Sequence, residues 1–158
     1  MNYTRDDLLY LAGFVDGEGC FFIGLFGTVA RPGAKAYPNY HTLLKISNNY
    51  YPVLEWIHNT FGGSIDKRMR KQKLRHNETP TYSLEFTGNL LTQITKDLLP
   101  FLKVKHEQAK IMIKMRETFP TKRGKVFVSE ETKAFRQECH YALRKLNTRF
   151  HDHPLKQI

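Results

Sequence analysis

The stretch LAGFVDGEG at residues 11–19 constrains the fold more than any other part of the chain. It begins as an apolar helix and ends in two carboxylates, Asp16 and Glu18, set among three glycines. Thr4 followed by Asp7 resembles a capping box with Asp in place of the usual Glu. Apolar positions 8, 11, 12 and 15 then recur at helical spacing, which predicts a helix over about 5–16. Glycines at 17 and 19 let the backbone turn sharply after it. Such a helix delivers acid groups to a bend that has almost no side chains of its own.

The segments that follow alternate in character. CFFIGLF at 20–26 and YHTLLKIS at 40–47 are aromatic and aliphatic, too short for helices, and joined by a connection containing Gly and Pro, which predicts a long hairpin. YYPVLEWIHNTFGG places Val53, Leu54, Ile57 and Phe61 on one helical face, with Pro52 in the first turn and Gly62 and Gly63 as a stop. A second, very basic hairpin is expected from SIDKRMRKQKLRHNETPTYSLEFTG, turning around Asn77 and Pro80. NLLTQITKDLLPFL predicts a helix ending near Pro100. Residues 105–118 predict another, with Ala109, Met112, Ile113 and Arg116 on its inner side, and Ser129 caps a C-terminal helix that opens with two acids. The order implies an α+β domain with one four-stranded antiparallel sheet. A chain of 158 residues fits one such domain, expected over 1–150, followed by a polar C-terminal tail at 151–158.

Lys and Arg number 25 against 15 Asp and Glu, a formal net charge of +10, which suits a polyanionic partner. Nucleic acid leads and an anionic membrane surface comes second. No run approaches the roughly 18 apolar residues needed to cross a bilayer, and the N-terminus is acidic where a signal peptide is basic, so the protein is expected to be intracellular. Cys20 and Cys139 are far apart and neither sits in a CxxC pair, so both are expected to be ordinary semi-buried residues. Among the histidines, HDH at 151–153 lies in the polar tail, and RHN at 75–77 lacks the partners of an HNH nuclease. Trp56 is expected to pack on the second helix or its edge.

LAGFVDGEG closely resembles the LAGLIDADG motif, and the α-β-β-α-β-β-α order around it is similar to that of LAGLIDADG homing endonucleases. PFLKVKHEQA at 100–109 resembles a second signature of the family. Only one copy of the motif is present, and the resemblance therefore implies a homodimer paired through this helix, with Leu11, Ala12, Gly13 and Asp16 at the pairing face. Ala12, Gly13 and Gly17 lack bulk, which suits two helices approaching closely. A two-fold axis there brings two carboxylates together, which repel unless a cation sits between them. Mg²⁺ (or Mn²⁺) suits the site, since Mg²⁺ accepts one or two carboxylates, several waters and a phosphate oxygen. The resemblance assigns Glu18 as metal ligand and catalytic acid group, with the backbone carbonyl of Gly17 beside it. The family more often carries Asp at the Glu18 position, so the metal spacing is expected to differ slightly. Asp16 matches the first acid of the motif, with the structural role of holding the helix end and nearby backbone N–H groups. Lys105 aligns with an active-site lysine, and Asn48 with a polar residue that orders water.

Lys67, Arg68, Arg70, Lys71, Lys73 and Arg75 place six cations within nine residues. On a ribbon with period-two alternation every second one shares a surface, and such a ribbon fits the DNA major groove. Arg31, Lys35, Tyr37, Asn39, His41 and Lys45 on the first hairpin extend that DNA-binding surface. The function expected is a site-specific double-strand DNA endonuclease acting as a homodimer on a long near-palindromic site and leaving 3′ overhangs. Two rivals stand beside it: an intron RNA maturase on the same fold, and a DNA-binding regulator that uses the sheet alone.

Overall fold

The computed structural model describes residues 3–26, 39–66, 81–120 and 128–148. Helix α1 (Arg5–Glu18) opens on a reciprocal cap: Asp7 N–H donates to Thr4 Oγ1 at 3.2 Å, and Thr4 N–H donates to Asp7 Oδ2 at 2.7 Å. It runs two residues beyond the expected end. Gly19, in extended conformation, turns its N–H back to Val15 O, and β1 (Gly19–Phe26) begins there.

Strands β1, β2 (Asn39–Asn48), β4 (Tyr82–Thr87) and β3 (Ser64–Asp66) form one antiparallel sheet in that order. Helices α2 (Tyr51–Phe61), α3 (Gly88–Leu98), α4 (His106–Glu117) and α5 (Glu130–Thr148) complete the element order. Phe21, Ile23, Leu44, Ile46, Leu84 and Phe86 alternate along the strands and are buried against Leu11, Leu54, Ile57, Leu91, Ile94 and Met112. The helices thus cover one face. The other carries Cys20, Phe22, Phe26, His41, Lys45 and Glu85, all at least partly accessible.

The inner face of α4 is Gln108, Ala109, Met112 and Met115, rotated slightly from the expected set. Arg116 is accommodated half-buried because its guanidinium donates to Thr92 Oγ1 at 3.2 Å and Thr42 Oγ1 at 3.3 Å. It also lies 4.8 Å from the Phe119 ring centre, with Arg136 of α5 at 4.4 Å from the same ring. Ser129 caps α5 through Thr132 N–H at 3.2 Å. α5 then crosses the outer strand: His140 Nδ1 bonds Ile23 O at 2.9 Å, and Asn147 Nδ2 donates to Phe21 O at 3.0 Å. Trp56 meets Tyr10 edge-on at 5.1 Å and Phe61 at 6.0 Å. Cys139 is buried, whereas Cys20 is exposed, because β1 turns it to the uncovered face next to Lys45. No helix among the described residues is long and apolar enough to cross a membrane.

Candidate active site and sheet face

The two acids of the opening motif part ways at the end of α1. Asp16 Oδ2 accepts the Lys103 N–H at 2.7 Å and Oδ1 accepts the Lys105 N–H at 2.9 Å. The Lys105 ammonium in turn donates to the Asp16 backbone carbonyl. A carboxylate taking two backbone donors makes strong bonds, and these pin the bend at 103–105 to the helix terminus. Glu18, two residues later, is exposed. One acid is used up in holding the frame, and the other is left at the surface beside it. Removing the Asp16 carboxylate in Asp16→Ala is expected to cost about 2 kcal/mol in urea unfolding, with Asp16→Asn intermediate because one acceptor oxygen survives.

Burial pushes the Lys105 ammonium below the usual lysine range, while Asp16, the Cys20 thiol and Glu18 pull it back up. The amine therefore sits within electrostatic reach of Glu18. The carbonyl of Gly17 belongs to the last turn of α1, where no intrahelical donor reaches it. Among the described residues no group of three or more His, Cys, Asp or Glu comes together, and the Glu18 carboxylate belongs to no such cluster.

The residues expected at a pairing face divide. Leu11 is 0% and Ala12 1% exposed, both packed into the chain's own core, so they are not offered to a second copy. The reason is periodicity: 8, 11, 12 and 15 already face the sheet, and the outward side falls on Leu9, Tyr10, Gly13 and Gly17. A methyl group added at Gly13 or Gly17 would meet nothing within 4 Å. Leu9 and Tyr10 were readable from the same spacing by taking the opposite face of the wheel. Beside them a groove of about 660 Å³ runs between α1 and α2, lined by Tyr10, Phe14, Tyr50, Val53 and Trp56 with Asp6 and Asp7 at its rim.

Asn48 lines that groove too. It ends β2 two residues past Ile46, the partner of Gly19, and its Oδ1 accepts the Tyr50 N–H at 2.8 Å, fixing the turn into α2.

Of the expected DNA contacts, Asn39, His41 and Lys45 fall on the uncovered sheet face. Lys45 pairs with Glu85 at 3.3 Å. Arg31, Lys35, Tyr37, Lys67, Arg68, Arg70, Lys71, Lys73 and Arg75 lie outside the described residues, as do the histidines of RHN and HDH and the tail at 151–158. Phe22, Phe26, Glu85 and Thr87 share the same face and were not singled out by sequence; their signal was the period-two alternation opposite the buried Phe21, Ile23, Leu84 and Phe86.

Among solved structures the chain is similar to the archaeal intron-encoded homing endonuclease I-Vdi141I complexed with DNA, with a TM-score of 0.67 and 16% identity over 89% of this chain and 84% of that one. It is similar to the homing endonuclease I-CvuI in complex with its target in the presence of Ca, with a TM-score of 0.63 and 21% identity over 90% and 85%. The I-LtrWI LAGLIDADG homing endonuclease bound to target DNA matches with a TM-score of 0.57 and 20% identity, over 89% of this chain but 45% of that one. No curated protein matches. The family described as LAGLIDADG endonuclease matches residues 11–112, nearly two thirds of the sequence and all of the geometry around Asp16, Glu18 and Lys105, and the chain belongs to that family.

Proposed function

We propose that the protein is a homodimeric, divalent-metal-dependent, site-specific DNA endonuclease in which Glu18 of each copy serves one strand. The observation that supports this best is the pairing of an exposed Glu18 with a helix face reduced to glycine at 13 and 17. Two copies crossing at those glycines would bring two Glu18 carboxylates to one axis. The donor set fits Mg²⁺ or Mn²⁺: one carboxylate and the Gly17 carbonyl per chain leave positions for water and phosphate oxygens. Such a cation, when bound, lowers the pKa of water and offsets charge on the phosphate. Glu18 holds the cation, Asp16 fixes the bend, and Lys105 places a positive charge against the phosphate. Asn48 orients water near the site. In this reading the sheet face and the basic sequences flanking its strands hold the duplex, with Arg31, Lys35, Tyr37, Asn39, His41 and Lys45 from the sequence around β2 and Lys67, Arg68, Arg70, Lys71, Lys73 and Arg75 from the sequence after β3.

The test is cleavage of a randomised duplex library in Mg²⁺, with the cut ends sequenced. Paired 3′ overhangs flanking a near-palindromic site are the expected outcome. A library bound selectively but never cut would point instead to a maturase or a regulator, and a single-chain species persisting on DNA in sedimentation would rule out the shared axis.

Lys105 adds a pH dependence. Its lowered pKa means the proton leaves before the ordinary 10.5 as pH rises, so the charge facing the phosphate is lost early. The alkaline limb of kcat/KM is therefore expected below 10.5. Lys105→Arg should move it upward, because guanidinium stays protonated there. For stability, burial of the ammonium costs the folded state below its folded pKa, and that cost fades as pH rises toward 10.5.

A further inference from the structure

The uncovered sheet face is not uniformly polar. Phe22 of β1 is paired with Leu43 of β2, and Leu43 with Thr87 of β4, so these three form one row across the sheet. Phe22 is 46% exposed. Its ring leans along the strand over Gly24, where a methyl group would come within 2.5 Å of a ring carbon. Phe26, 58% exposed, meets His41 edge-on at 5.6 Å and extends the apolar strip away from Glu18. The one described cation of this face, Lys45, is paired with Glu85 in the row next to it.

Cations flank this strip in sequence: Arg31 and Lys35 lie between β1 and β2, and six more follow β3 directly. An apolar strip on strands whose connecting sequences are rich in cations complements a duplex, whose phosphates lie at the groove edges and whose apolar groups lie inside. In the major groove the apolar feature is the thymine C5-methyl, while guanine presents only acceptors that a phenyl ring would strip of water without replacing.

We propose that Phe22, supported by Leu43 and Thr87, reads a thymine methyl at one position in each half of the target. The position follows from strand geometry for a β1 laid along the duplex axis. Phe22 lies four residues beyond Glu18, roughly 13 Å along a strand, and at 3.4 Å per base step this is about four base pairs outward from the cut. The inference rests on the DNA endonuclease reading and adds the base that the centre of the sheet selects.

The experiment uses the full chain and the duplex it selects, with each thymine replaced in turn by deoxyuridine, which keeps every hydrogen-bonding group and lacks only the methyl. A loss of about fourfold in Kd is expected at one thymine per half-site, and about 15-fold when both are replaced. Phe22→Ala should bind the two duplexes alike. Gly24→Ala, which drives the ring from its seat while leaving the strand, should do the same, and unfolding curves of both variants check that the fold is kept. Selective binding and cutting with deoxyuridine tolerated throughout, or guanine selected at that position, would overturn the inference and leave the nuclease standing. Failure to select any duplex would overturn both.

Discussion

Glu18→Gln is expected to leave target binding within about twofold while lowering cleavage at least about a thousandfold, a loss of the size seen when a charge-stabilising group is removed from a reacting centre. The separation between the two readouts comes from the fold. Glu18 is exposed at the end of α1 and Asp16 alone ties that end to the 103–105 bend, so the substitution removes a negative charge without touching the bonds that position Lys105. Gln keeps the length of the side chain and one oxygen, but it is a far weaker ligand for a hard cation. Binding by gel shift in Ca²⁺ and cleavage by single turnover in Mg²⁺ would be measured on the same preparation. Equal loss of both would mean that Glu18 holds the structure; no loss of either would remove it from the chemistry and favour a regulator.

The second large effect is expected at the glycines, and its sign differs between two measurements. In an isolated chain Gly13→Ala and Gly17→Ala should each stabilise α1 by about 0.5–1 kcal/mol, since both sit inside a helix and the added methyl meets open space. In the pair proposed here the same methyls would fill the space between two backbones. Cleavage by the doubly substituted chain is expected to fall at least about a hundredfold, with sedimentation shifting toward the single chain. A variant that melts higher and cuts less separates an interface from a core. If it melts higher and cuts as well as the parent, the axis does not pass through this face.

Much of the architecture was readable because the chain obeys local rules. Thr4 and Asp7 announced the cap of α1, Pro52 and the glycines at 62 and 63 bounded α2, and Ser129 with its two acids opened α5. Where the expectation missed, tertiary structure decided. The end of α1 moved to Glu18 because the return bond from Gly19 to Val15 carries helical geometry through Gly17, a residue that would otherwise suggest a stop. Leu11 and Ala12 looked like pairing residues only while the core had no direction; once the sheet takes one side of the helix, they belong to it. The roles of the two acids were partly legible, but the carboxylate bonds of Asp16 span 87 and 89 residues of sequence, and no local pattern reports such a contact. Asn48 shows the same limit, because its bond to Tyr50 is a property of the turn it enters.

The crossing of α5 over β1 bears on particle size rather than on chemistry. An outer strand with free carbonyls is a template, and strands added to templates do not stop: each new chain presents another edge. Here His140 and Asn147 occupy the carbonyls of Ile23 and Phe21, so the chain terminates its own sheet on that side. Growth by strand addition at β1 is blocked from within, so a second copy that associates must use a surface other than this edge.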